Sequence, residues 1–251
     1  MLIESKLHFP ATLTVTEQAV DISGFKQRQK DFYLNWFRET VGIHQRANKS
    51  RVVVGIAGPT GAGKSVVTTL FQELARQAQL PFAFAVVTID AYHFPNSYLL
   101  SHLADGVALK QVKGRFDTYD VPALLRDLQA FTAGETVSFP AYSRKLHDPV
   151  PDQVRVTASS ALLVLEGLWL LSDQGAWAPV RSLLDFCYFM DADKDRTRQM
   201  VLKRHMTGGR TLDSAMKHYE EVDGRNSDLV QQTRSRADRV LPPYYELLRD
   251  P

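Results

Sequence analysis

Apolar residues gather in short, nearly unbroken runs, and longer amphipathic stretches separate them. Residues 51–57, 82–89, 161–165 and 185–190 are runs of strand length, and Val240-Leu241 forms a briefer one. A run without polar alternation suits a strand covered on both faces. Between these runs, 64–78, 97–104, 120–131, 193–206 and 211–222 carry helical spacing. Upstream, 24–47 sets Phe25, Phe32, Leu34, Trp36, Phe37 and Val41 among charged neighbours, which predicts a helix packed on the main domain. Residues 1–22 alternate loosely and read as an arm or short strand, with Leu13 and Val15 turned inward. Residues 138–151 are rich in turn formers and charge, and Val154 and Val156 suggest a short strand beside them.

Strands alternating with helices predict an α/β fold with a mainly parallel sheet. Ligands of such folds collect beyond the carboxyl ends of the strands, where Gly58, Asp90, Glu166 and Asp191 fall. The expected division is an N-terminal arm and helix over 1–50 and a core domain over 51–251. Within the core, acceptor loops are expected over 91–151 and a lid over about 204–226.

Composition narrows the class. The chain has 251 residues, 44% of them hydrophobic, enough for a sizeable core, and its net charge is only +2. That balance, with no dense basic tract, predicts neither nucleic acid nor membrane as a partner. The single cysteine, Cys187, lies in an apolar run and reads as a core thiol. A chain that cannot form an internal disulfide fits the cytoplasm. Glu4 and Lys6 interrupt the start of the chain, so no signal peptide is expected.

The chemistry begins at residues 58–65, Gly-Pro-Thr-Gly-Ala-Gly-Lys-Ser, a complete phosphate-binding loop between an expected strand and an expected helix. Its glycines let backbone N–H groups surround phosphate oxygens, and the helix presents its positive end to the same anion. The nucleotide-binding set is Gly58, Pro59, Thr60, Gly61, Ala62, Gly63, Lys64, Ser65 and Val66. Lys64 reaches the β- and γ-phosphates, and Ser65 ligates Mg²⁺. Glu166 ends a very apolar run and is the expected second magnesium ligand. Asp90 ends the strand after the loop's helix, so its carboxylate is placed to accept a proton from a substrate hydroxyl or to hold metal-bound water.

Beyond Asp90, Tyr92, His93 and Phe94 are expected to wall an acceptor pocket. Asp117, Tyr142, Arg144 and His147 are the expected acceptor contacts from two turn-rich segments, with Lys145 and Asp148 supporting loop geometry. Gly208-Gly209 permits a hinge, and a closing lid would bring Arg204 or Arg210 to the transferring phosphoryl group. Asn226 is a further acceptor candidate.

Taken in order, Gly58–Ser65, Thr88–Asn96, Lys113–Asp120, Pro140–Arg144 and Leu165–Gly167 resemble the phosphoribulokinase/uridine kinase/bacterial pantothenate kinase superfamily. The resemblance covers about residues 50–241. It implies a P-loop NTPase three-layer α/β/α sandwich with a small helical lid. It also implies ATP and Mg²⁺ as cofactors, Asp90 as general base, and Lys64 and Ser65 on triphosphate and magnesium. Tyr142, Arg144 and His147 then fall near the acceptor, and Arg204 and Arg210 in the lid. Members phosphorylate an alcohol on a small molecule, and homodimers are common among them. Residues 143–148 and 223–226 depart from the pantothenate kinase pattern. They look closer to nucleoside/nucleotide kinase-like or fructose-transport-linked sugar kinase members.

The expectation is therefore an ATP-dependent small-molecule kinase acting on a sugar or polyol, with pantothenate and uridine as alternatives. A regulatory P-loop NTPase lacks support, because no Asn-Lys-x-Asp guanine-reading motif occurs. A metabolite sensor with a degenerate site is opposed by the presence of Lys64, Ser65, Asp90 and Glu166 together. A nucleic-acid-binding ATPase would need a positive track that the sequence does not show.

Overall fold

The computed structural model describes residues 7–242. Glu4, Lys6 and Pro243 lie outside that range, and the expectation about a signal peptide with them. In chain order the elements are β1 (Thr12–Val15), β2 (Gln18–Asp21), α1 (Gln27–Arg46), β3 (Arg51–Ala57), α2 (Lys64–Ala78) and β4 (Ala83–Thr88). There follow α3 (Asn96–Ser101), β5 (Leu103–Ala104), β6 (Val107–Ala108), α4 (Val121–Thr132), β7 (Val137–Ser143), β8 (Asp148–Val156) and β9 (Ala161–Gly167). The chain continues through β10 (Phe186–Met190), α5 (Lys194–Thr207), α6 (Leu212–His218), α7 (Gly224–Gln232) and β11 (Arg239–Leu241).

Five strands form the central sheet in the order β11-β10-β3-β9-β4, and every pairing is parallel. The most apolar runs became the innermost strands. All seven residues of β3 and all seven of β9 are buried. Their alternate side chains feed two cores, as the two-residue period of a strand requires. Val52, Val54 and Ile56 face one way, into a cluster with Trp36, Phe37, Phe71 and Leu74 of α1 and α2. Val53, Leu163 and Leu165 face the other, against Leu124, Leu128 and Phe131 of α4, Phe139 of β7, and Trp177. The result is three layers with the phosphate-binding loop at the carboxyl end of the central strand.

α1 packs as its spacing predicts: Tyr33, Trp36, Phe37, Val41 and His44 are buried along one face. Leu13 and Val15 turn inward from a β1–β2 hairpin, so the arm is a two-stranded ribbon. Cys187 is a core thiol, fully buried, and burial pushes its pKa up to about 12.

Three local expectations need correction. Residues 138–151 are not a turn-rich stretch: β7 and β8 form a long antiparallel hairpin. Pro140 is accommodated because the register shifts between Phe139 and Ala141, which leaves it outside the pairing. The helix expected over 97–104 stops at Ser101, and the chain turns into the small β5–β6 ribbon. The helix expected over 211–222 ends at His218, passes through a π-helical turn (Tyr219–Asp223) and re-forms as α7. Gly224 permits that turn, since a Cβ there would press against Tyr219 O at 3.0 Å.

Candidate active site

A cleft of about 650 Å³ opens beyond the carboxyl ends of β3, β4 and β9. Its floor is the phosphate-binding loop. Gly61 has a left-handed φ of +84°, and a Cβ there would meet Thr197 O of α5 at 2.9 Å, so only glycine fits. Thr60, Gly61, Gly63, Lys64, Ser65 and Val66 reach the cleft wall. Gly58, Pro59 and Ala62 are not among the residues that line the cleft; Ala62 N donates to Pro59 O at 3.3 Å within the loop. Lys64 Nζ donates to Gly58 O at 2.8 Å and Pro59 O at 2.9 Å, which holds the ammonium over the loop. Burial lowers its pKa, and the Glu166 and Asp90 carboxylates oppose that shift.

Ser65 and Glu166 meet directly. The Ser65 hydroxyl donates to Glu166 Oε1 at 2.9 Å. Parallel pairing of β3 with β9 brings them together, because Glu166 lies opposite Ile56 at the strand end. Glu166 is 5% exposed, and burial raises its pKa against the pull of Lys64. A hydroxyl and a carboxylate side by side are hard oxygen donors, the set that suits Mg²⁺.

Asp90 enters from a 3₁₀ turn (Ile89–Tyr92) that continues β4. Its backbone N–H is capped by Thr88 Oγ1 at 3.2 Å. Among the described residues its carboxylate accepts no hydrogen bond, and it lines the cleft. The same turn sends Tyr92 the opposite way: its hydroxyl donates to Asp127 Oδ2 at 2.6 Å, outside the cleft. His93 does line the cleft, stacked 3.8 Å on Tyr119, with Nδ1 3.0 Å from Thr118 O. Burial depresses its pKa to about 4. Phe94 stacks on Tyr98 and is not a cleft wall.

The opposite wall is the β7–β8 hairpin, which contributes Tyr142, Arg144 and His147. Burial, then Asp90, pushes Tyr142 up to about 12. Asp148 does support the geometry, since its Oδ1 accepts from Asn96 N at 2.8 Å. α5, the turn after it and α7 add Arg204, Arg210 and Asn226. Asn226 Nδ2 donates to Gly114 O at 3.0 Å, which ties α7 to the acceptor side. Asp117 is not brought to the cleft; Arg115 holds it, with Nη2 2.6 Å from Oδ2.

Sequence reasoning missed several lining residues. Lys110, Lys113 and Tyr119 come from the segment after α3, and His205, His218 and Asp223 from α5, α6 and the π-helical turn. Lys110 lies in a 3₁₀ turn (Leu109–Val112) and Lys113 directly follows it, so their convergence is set by the turn's exit and not by a helical period. The arm was expected, but not its place in the cleft. Val15, Thr16, Gln18 and Val20 line the cleft, and its tip is clipped to β7–β8. Arg144 Nε donates to Thr16 Oγ1 at 2.8 Å, and Ser143 Oγ and Lys145 N donate to Glu17 at 3.1 and 2.8 Å.

Residues 53–246 match the phosphoribulokinase/uridine kinase family. The chain belongs to that family. This phosphoribulokinase/uridine kinase family member is a kinase with a P-loop NTPase fold. It is 35% identical over 192 residues to the uncharacterized protein YggC of Escherichia coli strain K12, covering 76% of this chain and 77% of that one. It is 30% identical over 193 residues to a uridine kinase of Brevibacillus brevis, covering 76% and 84%. A solved structure from Silicibacter sp. TM1040, a candidate fructose transport system kinase, superposes with a TM-score of 0.72 at 22% identity, over 84% of this chain and 98% of that one. At that identity the likeness speaks for the fold alone. No helix among the described residues of the family member is long and apolar enough to cross a membrane.

Proposed function

We propose that this kinase transfers the γ-phosphoryl group of ATP to an alcohol of a small sugar or polyol, with Asp90 as general base. The carrying observation is convergence. Lys64, the Ser65–Glu166 pair, an unpartnered Asp90 carboxylate and Arg204 line one cleft, and its other wall is polar and aromatic.

In this reading the loop's N–H groups and Lys64 hold the β- and γ-phosphates. Ser65 and Glu166 would hold Mg²⁺, which when bound neutralises charge on the phosphates. Asp90 receives the proton of the attacking hydroxyl as that oxygen bonds to the γ-phosphorus and the bridging bond to ADP breaks. Arg204 or Arg210 approaches as the lid closes and stabilises charge spread over the transferring oxygens. Tyr142, Arg144, His147, His93 and Asn226 orient the acceptor. A uridine acceptor is the second reading, favoured by the likeness to the Brevibacillus brevis uridine kinase.

The test is ADP formation by the purified protein with Mg²⁺ and ATP against separate sugars, polyols, nucleosides and pantothenate, with the product mass confirmed. A phosphorylated sugar or polyol supports the reading. Phosphorylated uridine or pantothenate replaces it. ATP binding with no stimulated turnover on the whole panel moves the chain to a regulatory NTPase or sensor.

A further inference from the structure

Two lysines in the cleft are held together with no carboxylate in direct contact. Lys110 and Lys113 share one acceptor oxygen, Asn96 Oδ1, Lys113 at 3.1 Å. Lys113 Nζ also donates to His147 O at 2.7 Å and lies 5.1 Å above the Tyr142 ring. Every partner is neutral. Among the described residues, neither lysine forms an ion pair with a carboxylate. Asp148 acts on both from a distance and Asp90 on Lys113, but the Asp148 Oδ1 is taken by the Asn96 N–H and neither acid touches a lysine.

Several other cations meet acids directly: Arg115 with Asp117 and Asp105, Arg181 with Asp238, Lys194 with Asp228. Arg51 is held by neutral carbonyls alone, but it stands singly, whereas Lys110 and Lys113 converge on one oxygen. Two ammonium groups converging on one neutral oxygen repel each other, and half-burying them removes the water that would screen the repulsion. Burial and the neighbouring Lys110 lower Lys113 to about 8. The fold nevertheless maintains the arrangement. Asn96 donates to His147 O at 3.0 Å while accepting from both lysines, and His147 holds a left-handed φ of +53° that turns its carbonyl into the network.

We infer that the acceptor carries an anionic group, a carboxylate or a phosphate monoester, which seats on Lys110 and Lys113. The inference rests on the kinase reading and sharpens its substrate class from sugar or polyol to sugar acid or sugar phosphate. A lysine pair is a point-charge receptor for such an oxyanion and has up to six N–H donors, of which three are engaged. A neutral polyol would be recognised by hydrogen-bonding amides and hydroxyls, and would leave the repulsion in place. Arg144 on the same wall adds to the positive potential, and Asp90 supplies the acid for the hydroxyl at the other end of the acceptor.

Two measurements on the full chain test this. The first is inorganic phosphate titrated calorimetrically into protein saturated with ADP and Mg²⁺, for the wild type, Lys110→Met, Lys113→Met and Lys113→Arg. Phosphate affinity is expected to fall about tenfold or more in the methionine variants and to be retained by arginine, with ADP affinity within about threefold throughout. The second is ATP turnover with glucose, gluconate and glucose 6-phosphate, which share a six-carbon frame. An anionic member is expected to exceed glucose in kcat/KM by about tenfold or more, and the methionine variants to raise its KM while leaving the KM for ATP unchanged. Preference for gluconate names a carboxylate, and preference for glucose 6-phosphate a phosphate.

Phosphate binding indifferent to both lysines overturns the inference. So does turnover of glucose by the wild type with a kcat/KM equal to or above those of gluconate and glucose 6-phosphate. Loss of ADP affinity alongside phosphate affinity also overturns it, since the lysines would then belong to the nucleotide. Lysine-dependent phosphate binding without ADP formation from any acceptor in the wider panel would instead sink the kinase reading and leave an anion site.

Discussion

Asp90 is set apart from the other acids of the cleft by having nothing to hold. Glu166 accepts from Ser65, and Asp223 lies 2.8 Å from His205 Nε2. A carboxylate with free lone pairs at a strand end is available for a substrate proton, and a positioned base contributes about 10²–10⁴-fold. Asp90→Asn is therefore expected to lower kcat by about 10²–10⁴-fold with ATP affinity nearly unchanged, read by steady-state kinetics beside nucleotide titration; a fully active variant removes the base assignment. Gly167 guards the same position from the neighbouring strand. A Cβ there would strike the Ile89 side chain, one residue before Asp90. Ile89 is fully buried and cannot swing out, so Gly167→Ala is expected to cost about 1–3 kcal/mol of stability in urea melts and to lower kcat by displacing the turn.

At the level of elements, the two hairpins and the base of the sheet make separate predictions. Arg51 begins β3 nearly fully buried, and its guanidinium donates to the carbonyls of Phe131, Gly134, Glu135 and Ala158. These bonds tie the end of α4 and the chain after β8 to the central strand. Arg51→Met strands those carbonyls and is expected to cost about 3 kcal/mol, measured as a lowered denaturant midpoint with unchanged KM values. The clip between hairpins is different, because its two bonds to Glu17 are exposed and contribute little to stability. Glu17→Ala is expected to leave the melting temperature within a few degrees while raising the acceptor KM about three- to tenfold, since Ser143 and Lys145, on either side of Arg144, lose their anchor. An unchanged acceptor KM would make the arm a packing element only. The contrast explains what was legible beforehand. The parallel strands, α1 and the loop's helix are fixed by local apolar pattern and glycine spacing, and each lies where its residues predict. The β7–β8 hairpin was not legible, because Pro140, Pro149 and Pro151 read as breakers until a partner strand and a bulge accommodate them. Likewise Tyr92 and Asp117 looked like pocket residues because their types suit one. Which way each points is decided by a 3₁₀ turn in one case and by Arg115 in the other.

Across the whole molecule, the cleft is assembled from segments far apart in the chain, and its ionisable groups tie folding to pH. His93 joins β4's turn to the stretch before α4, through Thr118 and Tyr119, and it is 6% exposed. Its pKa falls from 6.5 to about 4, chiefly by burial. The sign follows from linkage. Above pH 6.5 the imidazole is neutral in both states and contributes no pH dependence. Between pH 6.5 and 4 the unfolded chain binds a proton that the folded chain refuses, so stability falls as pH falls, and the decline ends once the folded form also protonates near pH 4. For this one group the loss between pH 7 and 5 is about 2 kcal/mol. His218 in the lid is lowered to about 4 as well, chiefly by burial, and adds in the same direction. Carboxylates titrate in the same acid range, so the difference between proteins isolates the histidine. Urea midpoints for wild type and His93→Gln, each at pH 7 and pH 5, are expected to show a smaller acid loss in the variant by about 2 kcal/mol. Glutamine can still donate toward Thr118 O, so the variant retains a route to folding. Parallel losses in the two proteins would mean that His93 takes up its proton in the folded cleft as readily as in the unfolded chain, and the acid sensitivity would then belong to the carboxylates.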